Sequence, residues 1–119
     1  MGYKMYGIID VDVVGLFLEE PLTMITHIVF FKLTHPTPEN SARTRDKLLG
    51  MIGKIPEIRS LEVGIDVIRS ERSYDLSLLT RFDSLADLQA YQQHPCHAGD
   101  VVPYIKSACS SIIAVDYES

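Results

Sequence analysis

The sequence predicts an α+β domain of order β-α-β-β-α-β, the ferredoxin-like arrangement, with one four-stranded antiparallel sheet and its helices on one face. Three observations carry that expectation. Four short runs rich in β-branched and aromatic residues alternate along the chain, "MITHIVFFKL", "IRSLEVGIDV", "YDLSLLTRF" and "SSIIAVDY". Two runs with helical spacing follow the first and third of them. Only the charged "RSERSY" separates the second from the third, which suits a hairpin or short loop.

In the first run Ile25, His27, Val29, Phe31 and Leu33 share one face, while Thr26, Ile28, Phe30 and Lys32 share the other. Both faces are largely apolar, so the strand is expected to be covered on both sides. "HPTPEN" breaks it. Thr37 is read as an N-cap, with Pro38 at the first helical position and Glu39 where a negative charge suits the helix dipole. Leu48, Leu49, Ile52 and Ile55 form the apolar stripe of that helix, which Pro56 ends.

In the second strand Leu61, Val63, Ile65 and Val67 alternate with polar or small residues, as in a half-buried strand. The third places Leu76, Leu78 and Phe82 on one side. "SLAD" at Ser84 to Asp87 is read as a capping box opening the second helix, with Leu85, Leu88 and Tyr91 down one face. Pro95 biases His94 away from helical geometry, so the helix is expected to stop there. A short helical turn through Val101, Val102 and Ile105 precedes the last strand.

At 119 residues the chain is one domain by size, read as residues 24–119 preceded by an extension over residues 1–23. The extension contains "YGIIDVDVVGLFL", which is apolar, but Asp10 and Asp12 interrupt it and no small-residue cleavage site follows. It is too short and too charged to cross a bilayer. Its β-branched residues predict a strand-like segment docked on the domain, the competing reading being a start at Met24. The formal charge of −5, with no cluster of Lys and Arg, excludes nucleic acid as the expected partner. Two cysteines, Cys96 and Cys109, cannot make a secreted-type disulfide framework and are read as free thiols in a reducing cytoplasm.

An antiparallel sheet with helices on one side leaves its other face open. Here that face is apolar in the first and last strands, so a second copy of the chain, sheet to sheet, is the expected cover.

"YQQHPCHAGD" draws attention as a site because it sets Tyr91, His94 and His97 close together around a proline. Histidine is the natural proton carrier near neutrality. A tyrosine hydroxyl can hold the oxygen of a carbonyl or enolate, the partner a histidine base needs when it removes a proton beside that carbonyl. Each residue also has a packing explanation. His27 can be a hydrogen-bonded core histidine, Tyr91 a core aromatic, and His94 a cap for helix-end carbonyls. His94, Cys96 and His97 are zinc-type ligands, but a structural site takes four and Cys109 and His35 stand apart, so no metal is expected. Spacing carries no information on a hard ion such as magnesium. No Gly-rich phosphate loop and no G-x-S-x-G elbow is present.

"THIVFFKL" (Thr26 to Leu33), "FDSLADLQAYQQHPCH" (Phe82 to His97) and the closing "VDY" (Val115 to Tyr117) together resemble the stress-responsive A/B barrel family, over residues 24 to 117. The resemblance implies a homodimer in which two four-stranded sheets form a dimeric α+β barrel, with helices outside and a cavity between sheet and helices. Some plant members are polyketide cyclases that close a ring by intramolecular aldol chemistry without metal or organic cofactor. The tyrosine and second histidine of their motif, which take part in proton transfer and carbonyl orientation, correspond to Tyr91 and His97. His27 and Asp116 match cyclase pocket positions, whereas Leu76 stands where the cyclases carry a further histidine. The expected proton-transfer residues are thus His97 and Tyr91, and the expected ligand-binding residues His27, His94 and Asp116. No cofactor is implied. Three functions follow as expectations: a pocket for a small apolar oxygenated ligand, a cofactor-independent lyase, cyclase or isomerase, or a purely structural dimerisation module.

Overall fold

The computed structural model describes residues 23–119. The strand-like reading of the N-terminal extension lies outside the described residues. β1 (Ile25–Leu33), α1 (Pro38–Leu49), β2 (Ser60–Ile65), β3 (Leu76–Phe82), α2 (Leu85–Gln93), a π-helical turn (Cys96–Val101), α3 (Val102–Ala108) and β4 (Cys109–Glu118) follow one another. The four strands form one sheet in the order β2-β3-β1-β4, antiparallel at every pairing. This is the ferredoxin-like fold that the alternation of runs predicts.

The period-two pattern of β1 decides which way the sheet faces. Register sets Ile25, His27, Val29 and Phe31 opposite Phe82, Thr80, Leu78 and Leu76 of β3, and all eight are buried. Residues directly opposite share a face, so these form the floor of the core. Leu48 and Met51 from α1 and its following turn, Leu88 and Tyr91 from α2, and Val101 and Ile105 beyond it close over that floor. Truncating Leu78 to alanine would cost about 2–5 kcal/mol, the usual range for a buried leucine.

Local chemistry fixes the ends of the helices. The Thr37 side chain accepts the Asn40 N–H at 3.1 Å, Pro38 occupies the first turn, and Glu39 meets the positive end of the dipole. The Ser84 hydroxyl accepts the Asp87 N–H at 3.1 Å. His94 is extended, as the following proline requires.

Three details depart from the sequence reading. α1 stops at Leu49, not at Pro56, because the chain turns through Gly50 and through Gly53, whose φ of +82° suits only glycine well. Met51 and Ile55 are buried from this turn, while Ile52 is exposed. β2 ends at Ile65, leaving Val67 in the loop and 85% exposed. Leu85 begins α2 on its solvent side, so the stripe is Leu88 and Tyr91 alone.

The loop after β2 is tied to β1 through Asp75. This buried carboxylate accepts the Leu33 N–H at 2.7 Å and Arg69 Nη1 at 3.1 Å, and its own N–H donates to the Phe31 carbonyl at 2.8 Å. At the other end of β1, Met24 and Ser119 exchange both backbone hydrogen bonds at 2.9 Å. The second face of the sheet carries Ile28 and Phe30 half-buried, with Ile113, Val115 and Tyr117 of β4 exposed. No helix among the described residues is long and apolar enough to cross a membrane.

Candidate functional site

A cavity of about 260 Å³ opens between the helix-facing side of β1, β3 and β4 and the segment from Tyr91 to Lys106. The fold builds it from one alternating set. Val29, Phe31, Leu78, Ile112 and Ala114 come from the strands, and Leu48, Val101, Val102 and Ile105 from the helical side. The polar lining is short: His27, Tyr91, Gln92, His97 and Lys106. This volume lies just below the range of about 300–1,000 Å³ usual for drug-sized ligands, so the space suits a small molecule. Other depressions of about 290 and 370 Å³, beside Tyr74 and beside Arg45, hold none of the expected proton-transfer or ligand-binding residues.

The aromatic and imidazole rings form a chain. Tyr91 stacks at a tilt on His97 with centroids 4.4 Å apart, meets His27 edge-on at 5.9 Å, and leans on Phe82 at 5.0 Å. Tyr91 is 0% exposed, and its hydroxyl finds no hydrogen-bond partner among the described residues. Burial pushes its phenol well above the usual tyrosine range. Tyr91 therefore stays a donor at any ordinary pH.

His97 sits in the π-helical turn, where the Val102 N–H reaches back to the His97 carbonyl. Its Nδ1 lies 3.1 Å from the Gln92 carbonyl. A carbonyl only accepts, so Nδ1 carries the proton and the neutral ring keeps its lone pair on Nε2. Burial holds this imidazole below the ordinary histidine range, against the raising effect of the Gln92 carbonyl and with a smaller lowering by His27. His97 is thus a neutral acceptor near pH 7.

His27 is fixed in a similar way. β4 places Asp116 directly opposite it, and His27 Nδ1 donates to the Asp116 carboxylate. That pairing orients the ring and leaves Nε2 without a partner among the described residues.

The structure thus brings His27, Tyr91 and His97 to one space, with Asp116 behind His27. His94 is elsewhere. Its Nδ1 accepts the Cys96 N–H at 3.0 Å, closing the turn after Pro95, and it does not line the cavity. His94 does stand at the end of α2, but its ring meets the Cys96 N–H and not the helix-end carbonyls expected of it. Gln92 and Lys106 line the space without having been expected there. For Lys106 a signal existed: it follows Ile105 and lies four residues after Val102 on the turn that precedes β4. Cys96 and Cys109 are free thiols, and burial pushes the Cys109 thiol up to about 11, with Asp75 adding to the rise. Among the described residues no three His, Cys, Asp or Glu side chains converge as metal ligands.

The model of the stress-responsive A/B barrel domain matches residues 25–119. No curated protein matches the chain. Among solved structures, a dimeric protein of unknown function and ferredoxin-like fold from Bacteroides fragilis is 31% identical, with TM-score 0.69, over 81% of this chain and 96% of that one. A dimeric ferredoxin-like protein of unknown function from Thermobifida fusca is 25% identical, with TM-score 0.70, over 84% and 94%. The hydroxynitrile lyase of Passiflora edulis shares the fold at TM-score 0.72 and 17% identity, over 83% of this chain and 95% of that one.

Proposed function

The chain belongs to the stress-responsive A/B barrel family, and we propose that its cavity binds a small, largely apolar ligand through an oxygen atom of that ligand. The observation that carries this is Tyr91, which lines the largely apolar cavity and whose hydroxyl is buried without an acceptor among the described residues. A buried donor left unmatched costs about 1–3 kcal/mol. A ligand carbonyl or ether oxygen placed there removes that cost and gains orientation from His97 and His27. Pairing of two copies through the apolar second sheet face belongs to the same reading. Its support is the exposed Ile113, Val115 and Tyr117 and the dimeric state of the Bacteroides and Thermobifida relatives.

The test is thermal denaturation with a panel of small aryl ketones and β-diketones. A ligand present at 100 times its dissociation constant adds about 2.7 kcal/mol of stability. Binders should raise the midpoint of the natural protein and lose that effect in Tyr91→Phe. A panel without a single binder would sink the reading.

A second reading, cofactor-independent lyase, cyclase or isomerase chemistry, is favoured by the state of His97. Its lone pair is on Nε2, its charge is disfavoured by burial, and a phenol donor lies against it. A neutral base beside an oxygen-binding donor is the arrangement that removes a proton next to a carbonyl. Turnover of any responsive β-polyketone should then fall in both His97→Ala and Tyr91→Phe. Turnover unchanged in the two variants would leave ligand binding alone. The Passiflora enzyme's activity is not carried over, since that likeness is one of fold.

A further inference from the structure

Resting on the reading of the cavity as a ligand site, we propose that its ligand is an anion: a small apolar acid whose carboxylate meets the Lys106 ammonium at the cavity mouth. Among the lining residues Lys106 is the one lysine or arginine, and no Asp or Glu lines the space. Lys106 is exposed and borders the cavity next to the buried Ile105, the setting in which a long amphipathic side chain covers apolar surface with its stem and keeps its charge in water.

Lys47 on α1 is already engaged, reaching Asp100 at 2.7 Å. Lys106 has no carboxylate within salt-bridge distance among the described residues. Asp116, the carboxylate that touches a lining residue, is held by His27 Nδ1. An acid entering with its apolar body inward meets one uncommitted positive charge at the rim and apolar walls beyond it. Lys106 also favours the negative end of α3, so the experiment has to separate that local role from ligand recognition.

The probes are 4-oxo-4-phenylbutanoate and its neutral amide, which share one shape and carry a ketone oxygen for Tyr91. Each is titrated calorimetrically at pH 7.5 and low salt into the natural protein, Lys106→Gln and Lys106→Arg, all first shown to be folded by their melting curves. The natural protein and Lys106→Arg should prefer the acid about fivefold, the scale of a partly exposed ion pair. Lys106→Gln should bind both probes equally, with its affinity for the amide unchanged. Equal binding of acid and amide by the natural protein, or a preference that survives in Lys106→Gln, overturns the anion proposal and leaves the cavity reading standing. If neither probe binds the natural protein, the anion proposal fails, while the cavity reading stands or falls with the ketone panel.

Discussion

Replacing Tyr91 with phenylalanine should make the protein more stable while removing its ability to hold a ligand. The ring makes the packing contacts, 4.4 Å to His97 and 5.0 Å to Phe82 between centroids, and phenylalanine keeps all of them. What disappears is one hydroxyl that is buried without a partner among the described residues. A polar group in that position is unfavourable by about 1–3 kcal/mol, so a gain of about that size is expected. For a domain of this length, each kcal/mol corresponds to roughly 4–8 °C in Tm. Tyr91→Ala supplies the opposite control, because emptying a fully buried aromatic position costs about 3–5 kcal/mol. Urea denaturation read by tyrosine fluorescence and circular dichroism measures both variants. Protein concentration must be held fixed, since association of two copies makes apparent stability depend on it. A Tyr91→Phe variant less stable than the natural protein by 1 kcal/mol or more would refute the reasoning, because the hydroxyl would then have a bonding partner. Ligand-induced stabilisation, measured on the same samples, should change in the other direction. A residue kept at a cost to stability and needed for binding is what a functional donor looks like.

Further outcomes follow from other parts of the fold. Asp75→Ala should lower stability by about 1–3 kcal/mol, because the Leu33 N–H and the Arg69 guanidinium lose a buried acceptor, and Asp75→Asn should cost less by keeping one of the two bonds. The depressed folded-state pKa of His97 has a definite sign in pH titration. Below the unfolded-state value near 6.5 the unfolded chain takes up a proton that the folded ring resists, so stability falls with pH from there down to the folded pKa. His97→Gln should lack this share of the acid loss when urea midpoints are compared between pH 8 and pH 5. Cys109, with its thiol pushed up from 9.0 to about 11, should be alkylated by iodoacetamide at pH 8 about 100-fold more slowly than an ordinary thiol, as peptide mass spectrometry resolves. Val115→Asp, on the exposed second face at 57% accessibility, should shift light scattering from dimer to monomer, and an unchanged dimer would place the interface elsewhere.

Much of the fold was legible because alternation is a local property. The face shared by Ile25, His27, Val29 and Phe31 follows from period two alone, and the register with β3 only confirms it. Where the chain turns is less local. Ile52 and Leu85 satisfied helical spacing, but the actual end of α1 at Leu49 and the start of α2 at Leu85 turned both to solvent. Of the site, the residue types and the convergence of Tyr91, His97 and His27 were legible from the motif and its family resemblance. The division of labour between His94 and His97 was not. It depends on which backbone group each ring meets, the Cys96 N–H for one and the Gln92 carbonyl for the other. The missing partner of the Tyr91 hydroxyl is likewise a fact of packing, invisible in any spacing. Lys106 escaped notice because a lone lysine on a short helix looks like solvent decoration until a cavity is found beside it.

The π-helical turn that carries His97 makes the site sensitive to chain length as well as to residue identity. In that turn the Val102 N–H passes over the usual acceptor and bonds to the carbonyl five residues back. Each residue of a helix turns the chain by about 100°. Ordinary α geometry over the same residues would hand the Val102 N–H to the Ala98 carbonyl and turn His97 by that angle relative to Val102 and Ile105. A chain one residue shorter between His97 and Val102 would set the two one turn apart again with a plain α turn. The π turn is therefore what this spacer length requires to keep His97 in register, and a relative with the same tyrosine, histidines and spacer but an α turn would share the letters of this site without its geometry.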